Sequence, residues 1–331
     1  MNASPIASTT RSALTDFQAS LDIGRIYVKG RAPAAAASGN PGSVRIMTWN
    51  IGRGYAPASI AETVRRFHPD IAFLQEVDWG NERTGGRDVL AELAEHLGML
   101  GLFGIEFVEL QSPRRDARSA GGGVTGNAVL TRFEPVATFR VPLPPCVDWE
   151  RGATSPDLPA RVRRRIEREP RLGQRFGLGA EFVLGRQRLV VCSLHLEDKF
   201  GGVRGRWSQC AAAQAAVAPR CDAATVSVIA GDFNTFNSRL ARLFRPESQT
   251  TALGKPAATP EAQWWKMALL PPTGYADAFP PGTWTFTITP FFRAQLDWIT
   301  TKGGLVCDRG VGPFASSDHR PLWIDLDLST S

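Results

Sequence analysis

Short apolar runs recur along this chain, and several end abruptly in an acid, an amide or an imidazole. The sharpest is Val226–Ala230, which breaks at Gly231 and leads into Asp232 and Asn234. Such a run is long enough for a buried strand and too short for a free-standing helix. Residues two apart in extended chain point to the same side. Asp232 and Asn234 are therefore expected to project together from the end of a core strand. Gly-Asp-Phe-Asn is also good turn chemistry, so this stretch alone leaves turn and site even. What separates them is repetition. Strand-like segments also end in, or abut, Asn50, Glu76, His195, Asp297 and Asp318-His319.

The intervening segments read as helices and loops. Pro57 can open a helix, and Ile60, Val64 and Phe67 then share one face before Pro69 stops it. A second helix is expected over Asp88–Leu97, capped by Asp88 and ended by Gly98. A polar helix follows over Arg206–Val217. Strand-like runs at Val44–Asn50, Ile71–Leu74, Asn127–Leu130, Phe182–Leu184, Leu189–Leu194, Trp284–Ile288, Leu296–Ile299 and Pro321–Leu328 complete an α/β pattern. Residues 1–43 read as an N-terminal extension and linker, with an edge strand at Ile23–Val28 and linker composition over Ala32–Pro41. The catalytic domain is expected over 44–331. It carries an insertion at 141–179, where prolines precede a basic run containing Arg161, Arg163, Arg164, Arg165, Arg168 and Arg171. A solvated basic face and an anion-binding arm both fit that run.

The 331 residues, 43% of them hydrophobic, suffice for a large core without disulfide staples. The 5 Cys form no metal-type spacing, which favours a reducing compartment. No stretch approaches the ~20 apolar residues of a membrane span. No Lys/Arg start followed by an apolar block is seen, so a cytoplasmic protein is expected. The net charge of +6 favours anionic partners.

The residue inventory then narrows the chemistry. There is no G-x-S-x-G nucleophile, no phosphate-binding G-x-x-x-x-G-K-[ST] loop and no H-E-x-x-H helix. Clustered carboxylates and amides suit a hard cation such as Mg²⁺ or Mn²⁺. Histidines beside them can take and give protons near neutral pH. That combination describes hydrolysis of a phosphate ester. His68 and His96 are read as surface residues outside it.

T-W-N-I at 48–51, L-Q-E-V at 74–77, S-L-H-L at 193–196, G-D-F-N at 231–234, L-D-W-I at 296–299 and S-D-H-R-P at 317–321 together resemble the endonuclease/exonuclease/phosphatase superfamily. Each motif is weak singly, but all six occur in the family's order. The resemblance implies a deoxyribonuclease I-like, four-layer α/β sandwich of two mixed sheets flanked by helices. It implies Mg²⁺- or Mn²⁺-dependent phosphoester hydrolysis without a covalent intermediate. Carried over by motif, Glu76 would be the principal metal ligand, with Asn50 and Asp318 nearby. Asp232 and Asn234 would position water and phosphate. His319, oriented by Asp297, would be a general base or a phosphate-binding cation. His195 would bond a phosphate oxygen or protonate the leaving group.

The abasic-site endonucleases of this superfamily carry an acid two residues after the first Asn and no His at the third motif, whereas this chain has Gly52 and His195. That moves it toward the deoxyribonuclease I and sphingomyelinase side. An acidic partner for His195 is then implied, with Glu82, Glu106 and Glu109 as candidates. Expected substrates are nucleic acid first, contacted by Arg163, Arg164 and Arg165. Phospholipid comes second, through exposed aromatic pairs at Trp264-Trp265 and Phe291-Phe292, so membrane contact stays open. A soluble phosphomonoester and a non-catalytic binding role rank lower, the latter because no motif residue is lost. A monomer with no protein partner is expected.

Overall fold

Alternation along the strands sets up two sheets that face one another. In the computed structural model, residues 14–33, 42–150, 160–198, 201–235, 261–280, 282–289 and 292–328 are described. The first sheet runs β1 (Ile26–Lys29), β4 (Leu100–Glu109), β5 (Val124–Thr131), β3 (Ile71–Trp79), β2 (Ser43–Arg53), β16 (Leu322–Asp327) and β15 (Leu305–Val311). A short β7 (Arg171–Gly173) adds to β4. The second runs β11 (Ala276–Asp277), β14 (Asp297–Lys302), β10 (Thr225–Asp232), β9 (Gln187–His195), β8 (Phe176–Leu184) and β6 (Ala137–Pro142). Both are mixed: β2 and β3 are parallel in the first, β9 and β10 in the second. A separate hairpin pairs β12 (Phe286–Thr289) with β13 (Phe292–Ala294).

The period of two sorts each strand's residues between layers. Val44, Ile46, Ile71 and Phe73 face inward and meet Leu189, Val191, Val226, Val228 and Ala230 of the second sheet. Met47, Trp49, Ile51, Ala72 and Leu74 face outward, under the helices Pro57–Phe67 and Val89–Leu97. On the far side Val190, Cys192, Leu194 and Ile229 pack under Gly202–Val217. Helix, sheet, sheet and helix make the four layers that the resemblance implied. The helix ends follow the residues: Asp88 Oδ1 accepts from Ala91 N, and Gly98 closes in the left-handed conformation.

Packed structure starts ahead of Val44, within the segment read as extension and linker, where an edge strand was expected over Ile23–Val28. β1 pairs antiparallel with β4 as an edge strand, and the short helix Asp16–Ala19 is anchored by Gln18. Its buried Nε2 donates to Glu109 O and Gly123 O at 2.9 and 2.8 Å. Residues 1–13 and 34–41 lie outside the described residues. The wholly buried β4 had no strand assigned to it from sequence. Its L-G-L-F-G-I run is apolar on both faces because helices cover one side and the other sheet the second.

The insertion is part of the fold. Its helix, Ala160–Arg168, buries Val162 and Ile166 against Phe107 and Trp149, with Val147 beside them. The basic residues occupy the remaining faces of that helix.

Gly231 is where the backbone permits no side chain. Its φ is 146°, and a Cβ there would lie 1.8 Å from Leu194 O on the neighbouring strand. Gly231→Ala is expected to cost about 2 kcal/mol or more, a fall in Tm on the order of 4 °C. It should also misplace Asp232 against His195, so a thermal melt and residual activity check it together.

Candidate active site

Three strands of the second sheet contribute one row of polar residues. The parallel register of β9 and β10 sets Asp232 opposite His195, and the antiparallel register of β10 and β14 sets it opposite Asp297. All three continue the inward-facing series of Val191, Ala230 and Ile299. Apolar residues fill most of that series, with Ser193, bonded to Gln75 Nε2 at 3.3 Å, one step before His195, and the polar row takes over at the strand ends.

Sheet one answers with Asn50 and Glu76. Asn50 faces inward in step with Val44 and Ile46. Glu76 is out of step: regular alternation with Ala72 and Leu74 would send it toward the helices. Instead the register shifts between Leu74 and Val77, and Glu76 adopts φ 55°. This bulge turns the carboxylate toward Asn50. Asn50 Nδ2 donates to Glu76 Oε1 at 3.2 Å and to Asp232 Oδ2 at 3.0 Å. A non-glycine residue in that conformation costs about 1–3 kcal/mol, the kind of strain that collects at functional sites.

His319 arrives from the loop before β16. Trp49 Nε1 donates to its carbonyl at 3.0 Å, and its N–H donates to Ser317 Oγ at 3.1 Å. Its Nδ1 donates to Asp297 Oδ2 at 2.8 Å, and its Nε2 lies 3.9 Å from Asp232 Oδ2. Phe286 of the hairpin lies against the ring, centroids 5.0 Å apart. Burial alone would lower the pKa of His319, but the charges of Asp297 and Asp232 raise it to about 10. It is an imidazolium at neutral pH. Burial raises the pKa of Asp232, partly offset by His319 and His195. Burial also works against the charge of Glu76, yet His195 in its charged form, Arg53 and the Asn50 amide outweigh it and hold the pKa at about 2.

The Asn234 side chain is anchored by one N–H: Nδ2 donates to Leu196 O at 3.0 Å, and its backbone N donates to Asp232 Oδ1 at 2.9 Å. Asp318 is exposed on the loop beside Gly52, farther out than Asn50 and Glu76. Of the three acids considered for His195, Glu106 is the neighbour, with Oε2 3.5 Å from Nδ1. Glu109 instead pairs with Arg83 and Arg115, and Glu82 accepts from Gln111.

Asp232, Asp297 and His319 offer ligand atoms within 4.8 Å of one another, and Asp297 Oδ1 is buried with no hydrogen-bond partner. A protonated imidazole is no ligand, however. The other oxygen donors nearby are the ionised carboxylate of Glu76, the Asn50 amide oxygen, which accepts from Gly52 N at 3.0 Å, and the exposed carboxylate of Asp318.

The model of the Endonuclease/Exonuclease/phosphatase family matches residues 47–319. The chain belongs to this family. Endonuclease/exonuclease/phosphatase proteins hydrolyse phosphoester bonds and typically depend on a divalent metal. A family structure from Beutenbergia cavernae DSM 12333 is 22% identical, with a TM-score of 0.58 over 86% of this chain and 71% of that one. The human Nocturnin catalytic domain with bound sulfate is 16% identical, with a TM-score of 0.53 over 89% and 96%. A D. rerio TDP2 humanized by 14 mutations is 13% identical, with a TM-score of 0.52 over 86% and 99%. At these identities the likeness is one of fold. No curated protein matches the sequence.

Around this family centre lie the basic helix and the aromatic pair singled out in the sequence. The basic helix runs along the rim: Arg165 pairs with Asp198 just beyond β9, and Glu169 lies 3.5 Å from Arg53 just beyond Asn50. Arg164 is exposed, Arg163 half-buried, and Arg165 already holds a carboxylate. The exposed aromatic pair at Trp264-Trp265 is a correction. Trp265 is fully buried among Phe233, Trp298 and Trp207, and Trp264 packs on the same cluster. An apolar cleft beside β10 had room for them, which local sequence does not reveal. Phe291 lies outside the described residues, and the side chain of Phe292 is likewise not described. Sequence reasoning missed Arg175, whose Nη1 lies 2.7 Å from His195 Nδ1. It sits among the insertion's arginines, and nothing local distinguishes it from them.

His319 predicts a pH signature. Its pKa is raised from 6.5 to about 10 on folding. The stabilisation this brings is complete below about pH 6.5 and is lost as pH rises through about 10. In chelator, the Tm gap between wild type and His319→Gln should therefore shrink from pH 6.5 to 10. A gap that widens over that window refutes the imidazolium assignment.

Proposed function

We propose that this protein is a Mg²⁺- or Mn²⁺-dependent phosphodiesterase that cuts nucleic acid by direct attack of water. The observation that carries this reading is the convergence of Asn50 and Glu76 with His195, Asp232, Asp297 and His319 between the facing sheet edges, beside an arginine-bearing helix. Glu76, with Asn50 and Asp318, would hold the cation, which when bound offsets charge on the phosphoryl oxygens. Asp232, its pKa raised by burial, is suited to take a proton from the attacking water. Asn234 keeps that carboxylate in place through its backbone N–H. The His319 imidazolium, anchored by Asp297, supplies positive charge to a phosphoryl oxygen. His195, with Nε2 3.6 Å from Asp232 Oδ2, faces the same point and can donate to a phosphoryl or leaving-group oxygen.

The basic rim favours a polyanion over a lipid. The net charge of +6 points the same way. The lipid alternative loses its main support with Trp265 in the core. No helix among the described residues is long and apolar enough to cross a membrane.

Activity on plasmid DNA, RNA and a chromogenic bis-ester should vanish in chelator and return with Mg²⁺ or Mn²⁺. Glu76→Gln should need far more metal while keeping its Tm. Full turnover in chelator ends the metal role.

Arg163→Ala with Arg164→Ala should raise KM on DNA or RNA, most at low salt. The salt slope should fall by about one for each phosphate that an arginine no longer neutralises. Turnover of the bis-ester should hardly change. Unchanged nucleic-acid KM at every salt concentration removes these arginines from substrate binding.

A further inference from the structure

His195 is held by a cation as well as by a carboxylate. Glu106 on β4 is the nearest acid, but Arg175, the residue before β8, comes between them. Arg175 Nη1 donates to Glu106 Oε2 at 2.9 Å and reaches His195 Nδ1 at 2.7 Å. Glu106 is 1% exposed, His195 2% and Arg175 8%, so water does not loosen the arrangement. Each partner is also fixed elsewhere. Glu106 Oε1 accepts from Asn127 Nδ2 at 3.2 Å, and the Arg175 guanidinium lies 5.2 Å from the centre of the Phe107 ring.

A guanidinium has donors only and keeps its proton in proteins. Its contact with a ring nitrogen at 2.7 Å is a hydrogen bond only if that nitrogen carries a lone pair. His195 Nδ1 is then the acceptor, and the ring's proton sits on Nε2, on the side of Asp232. His319 is arranged the opposite way, with Nδ1 donating to Asp297. The two histidines flanking Asp232 are thus set up differently by what holds their Nδ1 atoms.

We infer that Arg175 is a positioning residue that fixes His195 as its Nε2–H tautomer, so that the ring donates to a phosphoryl or leaving-group oxygen and Glu106 acts on it only through the guanidinium. The catalytic consequence rests on the phosphodiesterase reading above. The tautomer does not, and it can be read without substrate.

Long-range ¹H–¹⁵N spectra of the full chain in chelator report the proton on each imidazole nitrogen. The chain has 4 His, and His195→Gln identifies the relevant signals. A protonated Nε2 and bare Nδ1 are expected in wild type and in Arg175→Lys, and loss of that pattern in Arg175→Met. With a chromogenic bis-ester and Mg²⁺, Arg175→Met should lose on the order of 10²-fold in kcat with KM little changed. Added guanidinium should restore part of it, and Arg175→Lys should keep most of it. Glu106→Gln should lose less than Arg175→Met. A wild-type His195 protonated on Nδ1, wild-type kcat in Arg175→Met, or a larger loss in Glu106→Gln overturns the inference. If Arg175→Met does not fold, the wild-type spectrum decides alone. If no diester is turned over, the spectrum still stands, and it is the functional reading that fails.

Discussion

One amide joins the two halves of this protein at the point where chemistry is possible. Asn50 Nδ2 donates to Glu76 on its own sheet and to Asp232 on the other. Two carboxylates facing each other in a buried cleft repel, and each carries a desolvation cost. A single neutral donor shared between them lowers both penalties. It can do so only because the inner faces, Val44, Ile46 and Phe73 against Val191, Val228 and Ala230, hold the sheets at packing distance. The apolar core thus sets the gap, and the polar row at its end uses it.

Charge around this centre is arranged in paired units. His319 is matched with Asp297, and Arg175 with Glu106. Farther along the first sheet, Asp78 accepts from Arg83 Nε and Nη2 at 2.7 and 2.8 Å, and Glu109 holds Arg115. Buried pairs of this kind add little net stability, but breaking one leaves an uncompensated charge. They act here as alignment devices. The same region takes up the N-terminal segment, whose Gln18 amide satisfies the carbonyls of Glu109 and Gly123. Part of the segment read as an N-terminal extension is therefore tied into the first sheet.

Much of this was readable along the chain. Strand ends at Asn50, His195, Asp232 and Asp297 follow from an inward-facing apolar series that turns polar, and alternation then puts them on one side. The helices at 57–67 and 89–97 announce themselves by spacing, cap and stop. Glu76 was legible as a residue but not as a direction, because regular alternation points it away from the cleft and only the bulge brings it back. Trp265 was misread for a related reason: a tryptophan in a loop-rich stretch looks exposed until a distant cleft is there to receive it. β4 escaped notice because a strand covered on both faces loses its alternating pattern.

The sequence by itself determined the layers, the order of the polar strand ends and the chemical character of the cluster, since these depend on local periodicity and residue type. The tertiary structure alone decided which acid stands beside His195, that an arginine intervenes, and how protons are held on the two histidines. Those outcomes depend on atoms brought within hydrogen-bond distance from positions such as 106, 127, 175 and 195. Periodicity reports which side of a strand a residue faces, but not which partner waits there.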